Sequence, residues 1–349
     1  MGKARAPASP VHDPAATARL HSVLRFAVGT TAAFVMSEVM GWYPTFLAPL
    51  LTGALIANLP TALPPKAGVA LVIIQGCGAY AAFVLASLLS ESPFVLFGTI
   101  GLILFLSFAN LAQGRGFLPI LLTLIAFATV PIVTMAAPQQ AGALPWALTR
   151  SMAVAVGMVW VVHVLWPQVA KATGPAPTPV FASPLSLAIV GTVIVLPLML
   201  VYLMYGITDA LPILITTVLL VITFDPQRGA MQGAAMVLGN FIGGMAAILA
   251  SMLLQAAPNL ATLGLVAFLI GIGFASRIER GGPAGAVGLV TYNQTMVMFS
   301  LAIAPGGGNP GLWGTRLLQF GIACLFAVGM MTLLLPDRSG TKKKDSRVS

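Results

Sequence analysis

Between residues 20 and 335 the chain is a succession of apolar runs, each close to the length of a bilayer crossing and nearly free of charge. That pattern leaves few folds open. A hydrocarbon core takes roughly 20 residues of helix per crossing, and backbone groups inside it must be satisfied within their own segment or in a closed barrel. The chain is 7% charged and 58% hydrophobic, whereas soluble domains carry about 25% charged residues. A soluble globule is excluded, and little chain remains for an extramembrane domain.

Breaks at Pro, Gly or charge divide the runs into twelve expected helices: 20–41, 45–59, 66–90, 93–112, 116–136, 145–166, 184–205, 209–224, 226–255, 259–278, 284–304 and 311–335. The second and eighth are short, and Pro49 and Pro212, at matching positions, are expected to break them. Residues 1–18 are Pro/Ala-rich without the apolar segment of a signal peptide and read as a disordered tail. Residues 19–167 and 184–336 form two membrane blocks, 168–183 a Pro/Ala-rich linker, and 337–349 a basic tail. Cys77 and Cys324 lie in apolar runs and read as small core residues, with no disulfide implied.

Orientation follows from the cations. With the N-terminus inside, fifteen of the seventeen Lys and Arg fall on the cytoplasmic side, and the loops GWYP, SES, APQQAGA, GITDA, QAAPN and APGGGNP contain none. That split places both termini in the cytoplasm. It also accounts for the net charge of +9 without nucleic acid. The two exceptions, Arg150 and Arg316, sit near the outer ends of the sixth and twelfth runs.

These two are related by an internal repeat. Pro65-Lys66-Ala67-Gly68 recurs as Pro226-Gln227-Arg228-Gly229, Phe108-Ala109 as Phe274-Ala275, and Leu165-Trp166-Pro167 as Leu334-Leu335-Pro336. Trp146…Thr149-Arg150 recurs as Trp313…Thr315-Arg316, and the offset drifts in order from 161 to 169. Six spans per block give both copies one orientation. The expected fold is an all-α polytopic membrane protein of two parallel six-helix repeats, a known transporter architecture.

Enzyme chemistry has no support. There is no GK[ST] phosphate loop, CxxC, HExxH or acidic cluster for a metal, so neither a cofactor nor catalysis is expected. His163 reads as a packed or interfacial side chain in preference to a proton relay. Arg150 and Arg316 lie about 5 Å deeper than their tryptophans. Two readings compete for them: snorkelling to outer headgroups, or a pair of forks that bind a carboxylate in an outer pathway. The charge count favours the second. Glu38, four residues before Trp42, can pair with one of these arginines, carry a coupling proton, or stand solvated at the interface. Asp225 before Pro226, and Asp209, read first as N-caps, with proton coupling as the rival for Asp225. In the eleventh run Tyr292, Asn293, Gln294 and Thr295 are polar among apolar neighbours. At about 100° per residue they cannot share one cavity; Tyr292 and Thr295 are expected on one face, and interhelical bonding is the rival role. Gly239 and Gly243 have the spacing of close helix packing.

The stretch LRFAVGTTAAFVMSEVMGW-YPTFLAPLLTGALIAN (24–58), with its basic residue, its Gly in the first helix and its FLAP segment, resembles the opening of the fusaric acid resistance and aromatic acid exporter family. The similarity is to that family's compact bacterial branch. It implies an inner-membrane, proton-driven exporter of small aromatic carboxylic acids that works with a periplasmic membrane-fusion adaptor, in some relatives as a dimer. The large cytoplasmic domains of other members have no counterpart here. A passive organic-anion channel and a non-transporting scaffold subunit remain the alternatives; the scaffold would have its mid-membrane polar cluster sealed by packing.

Overall fold

The computed structural model describes residues 14–59, 61–167, 184–206, 214–215, 217–218, 221–222, 226–304 and 310–334. They contain helices and no strand. In chain order the helices are α1 (Pro14–Val39), α2 (Leu47–Asn58), α3 (Pro65–Leu88), α4 (Pro93–Ala112), α5 (Phe117–Ala136), the single turn α6 (Pro138–Ala141), α7 (Ala143–Leu165), α8 (Pro184–Met204), α9 (Pro226–Ala256), α10 (Leu260–Glu279), α11 (Gly282–Ile303) and α12 (Pro310–Leu334). Nine of the described helices are long and apolar enough to cross a membrane, and α2 and residues 321–334 are shorter apolar pieces. This is an all-helical, multi-pass membrane protein. Its outward faces agree: Phe94, Val164, Leu249 and Leu325 are exposed large apolar residues, a liability in water but the surface that lipid requires.

Helix starts follow the prolines. Seven of the twelve helices open on one, where the missing N–H costs no hydrogen bond and the fixed φ already suits the helix. The same rule corrects two expectations. The first helix begins at Pro14, inside the stretch expected to be a disordered tail. Pro49 does not break α2, because it falls in the first turn, where its missing donor would be unpaired anyway. A third correction is Cys77, which points outward, whereas Cys324 is buried. The eighth expected run, with Asp209 and Pro212, lies largely outside the described residues.

Helix α3 packs on α5 and α7, and α9 packs on α11 and α12 in the same way. Helix α1 lies along α10, and α8 lies along α4. Each of these last two crossings passes over a glycine. A Cβ on Gly271 of α10 would stand 3.0 Å from the Ala27 Cα of α1, and one on Gly191 of α8 would stand 2.8 Å from the Phe108 ring of α4.

The tightest junction is α9 with α11. A Cβ on Gly239 would lie 2.7 Å from the Thr291 hydroxyl, and one on Gly243 would lie 2.9 Å from the Thr291 carbonyl and the Thr295 amide nitrogen. Only hydrogen fits at either position. Thr291 and Thr295 turn their hydroxyls back onto the carbonyls of Val287 and Thr291, both at 2.8 Å, so the contact leaves no donor unpaired there. A Gly243→Val substitution should therefore cost at least about 1–3 kcal/mol by overpacking. Gly98→Val, with nothing within 4 Å of the added Cβ, should change stability by less than about 0.5 kcal/mol. Thermal unfolding of the two purified variants in detergent measures the difference.

Candidate functional site

The face of α11 next to its glycine contact meets α1, α2 and α10, and this seam gathers most of the side chains capable of chemistry. Halfway along α11, Tyr292 is fully buried and lies edge-on to Phe26 of α1, with centroids 4.9 Å apart, and to Phe274 of α10 at 6.5 Å. Helix α2 comes close through Gly53, whose Cβ would stand 3.3 Å from both Phe26 and Tyr292. The Tyr292 hydroxyl lies beside Thr30 but completes no hydrogen bond, and Thr30 donates to its own helix at the Phe26 carbonyl, 2.7 Å away. Further along the seam Phe34 packs on Phe299 at 5.6 Å.

At the end of the seam where α1 stops, polar groups reappear. The buried hydroxyls of Thr45 and Ser300 bond each other, and Thr45 also reaches the Glu38 carboxylate. Polar side chains therefore cluster at this end of the seam, from Ser300 of α11 through Thr45 to Glu38. Four residues on, the Trp42 ring carries the Arg150 guanidinium, with Cζ 4.5 Å from the ring centroid, a cation–π contact. Arg150 and Glu38 do not pair: among the described residues the ion pair is Arg19 with Glu279 at 3.8 Å. Arg150 shares a helical stripe with the exposed Trp146, Ala153, Val161 and Val164, and its Nε is buried without a hydrogen bond. Both readings of Arg150 start from this geometry: a guanidinium held on a tryptophan face, on the outward stripe of α7. Arg316 lies in α12, but its side chain is outside what is described, as is Asp225 altogether.

The polar quartet of α11 splits. Tyr292 faces the seam, whereas Thr295, expected on the same face, touches Gly243 of α9. The two differ by about 60° around the helix, and the glycine contact draws Thr295 to its own side. Gln294 lies on the stripe of Val290, Val297 and Leu301, which joins the large apolar cluster that runs through most of the other helices. Its Oε1, the Asn293 Oδ1 and both polar side-chain atoms of Asn240 are buried without a hydrogen-bond partner.

The opposite end of the seam, where α1 begins, opens into a cavity of about 230 Å³ that sequence reasoning missed. Its walls come from α1 (Ser22, Arg25, Phe26), the ends of α2 and α10, and His163 in the last turn of α7, with Gly281 at the rim. Gly281 and Gly282 both hold positive φ, 66° and 59°, a conformation that suits glycine and turns the chain sharply from α10 into α11. Arg25 is half-buried, and its Nη1 donates to the Trp166 carbonyl at 3.4 Å. His163 bonds the Val159 carbonyl through Nδ1 at 2.8 Å. Phe26, the ring that rests on Tyr292, lines the cavity too. The result is a small pocket, just below the usual range for ligand sites, with a guanidinium and an imidazole over an aromatic floor. Its sequence signal was faint. Arg25 lies deeper in the first apolar run than Arg19 and His21, but the charge count absorbed it as one more cytoplasmic cation. Among the described residues no group of His, Cys, Asp or Glu is placed to hold a metal.

A family model described as a protein of unknown function, DUF2955, matches residues 22–162, from α1 to the last turn of α7. No curated protein and no solved structure matches the chain.

Proposed function

We propose that the chain is a bacterial inner-membrane exporter of small organic anions, aromatic carboxylates foremost, and that the substrate loads through the cavity between α1, α2, α7 and α10. The observation that carries this reading is the pairing of Arg25 and His163 with the Phe26 floor at one end of an apolar bundle. A guanidinium binds a carboxylate with charge-assisted hydrogen bonds, and an aromatic floor accepts a ring. The charge count places this end in the cytoplasm along with both termini. Tyr292 under Phe26 forms the closed floor, and the seam leads from it to Thr45, Ser300 and Glu38 at the outer end, where Glu38 takes the coupling proton. Asp225 is the second candidate for that proton.

Twelve spans in two parallel repeats fit the packing. The α3–α5–α7 arrangement recurs as α9–α11–α12, and the α1–α10 contact is answered by α8–α4, the exchange expected of a two-fold axis along the membrane normal. The matched family region has the extent of the first repeat. A periplasmic membrane-fusion adaptor, and assembly as a homo-oligomer, are the partners that the sequence resemblance implies.

A second reading draws on one observation. Tyr292, Gln294 and Thr295 are almost wholly buried, as in a scaffold subunit with no path. An exporter whose cavity is open only at the cytoplasmic end has the same sealed middle, and transport decides between them.

In cells exporting a weak aromatic acid, Arg25→Gln should lower the export rate about 10- to 100-fold, the loss of one charged hydrogen-bonding group. The Arg150→Gln, Arg316→Gln double variant should stay within about threefold of the parent. The reverse pattern would return the anion site to the outer arginines, and no export by the parent would favour the scaffold. Orientation has its own test. With Cys77 and Cys324 replaced by Ala, an impermeant maleimide should label Ser90→Cys in intact cells but Ser276→Cys only after permeabilisation.

A further inference from the structure

The imidazole in the cavity has a more specific part to play than that of a second polar wall. Nδ1 of His163 faces the Val159 carbonyl, which can only accept, so in the neutral ring Nδ1 carries the hydrogen and Nε2 carries the lone pair. The ring is 8% exposed and lines the cavity, and Nε2 is its remaining polar atom. Protonating Nε2 in the empty cavity would set an imidazolium close to the fixed charge of Arg25, which lines the same cavity. A carboxylate seated at Arg25 reverses the sign of that interaction, because it supplies both cations with a counter-charge.

We propose that His163 takes up a proton when an organic anion occupies the cavity, so that anion affinity rises as the cytoplasm acidifies. This rests on the reading of the cavity as an anion site. The step is simple in its chemistry: a proton from solution adds to the Nε2 lone pair, and it leaves by the same route when the anion departs. Linkage then requires each ligand to strengthen the other. The position of the ring suits the charged form, since the last turn of a helix favours a cation.

The other charged groups around α7 do not substitute for it. On α1, His21 is engaged with the Pro167 carbonyl at 3.0 Å, and Arg19 holds Glu279, the carboxylate that α10 contributes to the cavity wall. Lys66 at the start of α3 and Arg115 ahead of α5 are exposed, the latter bonded to Asn110. Helices α2 and α6 carry no titratable side chain. The physiological sense is direct. A weak acid that crosses the membrane in its neutral form releases its proton inside, and the same acidification would raise the occupancy of the cavity by the anion left behind.

Benzoate is a suitable probe, because it stays ionised across the range in which an imidazole titrates. Calorimetric titration of the purified full-length protein in lipid nanodiscs, repeated in buffers of different ionisation enthalpy, counts the protons taken up. The expected result is affinity that rises up to about tenfold per pH unit between about pH 8 and pH 6, with uptake approaching one proton. In His163→Gln, benzoate should still bind, with a flat pH profile and no proton uptake, whereas Arg25→Gln should lose binding at every pH. Should His163→Gln misfold, a second measurement serves: the histidine ¹⁵N spectrum of a protein with His12 and His21 replaced by Asn. There benzoate should raise the midpoint of the one remaining histidine. A pH-independent affinity in the parent, a profile unchanged in His163→Gln, or an unmoved midpoint would each overturn the proton link and leave the anion site standing. Absence of benzoate binding in the parent, or binding unaffected by Arg25→Gln, would overturn the anion site and the proton link together.

Discussion

The contact of Gly239 and Gly243 with α11 governs the rest of the bundle. Lipid offers no hydrophobic driving force between helices, so close van der Waals approach has to hold them together. Two hydrogens in place of side chains let α9 and α11 meet at backbone distance, and the meeting fixes the rotation of α11. With Thr291 and Thr295 held against α9, Tyr292 must turn toward Phe26 and Phe274. Two turns further on, Ser300 meets Thr45. Rotating α11 by one residue would move Tyr292 off the seam and take away the ring on which Phe26, the cavity floor, rests. The chemistry at both ends thus depends on packing that contains no chemical group at all.

Polar groups inside the bundle are handled in three ways. Many hydroxyls are silenced locally: Thr30, Ser37, Thr52, Thr129 and Thr134 each donate to the carbonyl one turn back, although those of Thr31, Tyr202 and Tyr292 are buried without a partner. Amides are not, and Gln75, Asn240 and Gln294 each bury at least one polar atom without a partner, at a cost of about 1–3 kcal/mol for each such group. Charges are kept to the two ends, where Arg25 and Arg150 lean on a carbonyl and on a tryptophan face respectively. Such an interior has few ways to stabilise an ion.

The helices were legible because length and hydropathy dictate them. Most boundaries fell within a few residues of the prolines and glycines that mark them, and the misjudged α2 shows that a proline's position in a helix matters more than its presence. Side-chain roles were harder to read. Arg150 broke a charge rule, but charge rules do not say which face a residue occupies, and its stripe is the exposed one. Arg25 obeyed the rule and was passed over. His163 was judged alone, and a histidine among apolar residues is uninformative until the helices carrying Arg25 and Phe26 are seen beside it. Pairing between distant helices decides such roles, and a single sequence does not print it.

The Arg19–Glu279 pair joins the start of α1 to the end of α10 beside the cavity mouth. Its arginine is 73% exposed and the two partners stand 3.8 Å apart, so it adds at most about 1 kcal/mol and is screened at cellular ionic strength. The separation of α1 and α10 is set instead where Gly271 lies against Ala27, so the pair can part without unpacking the two helices.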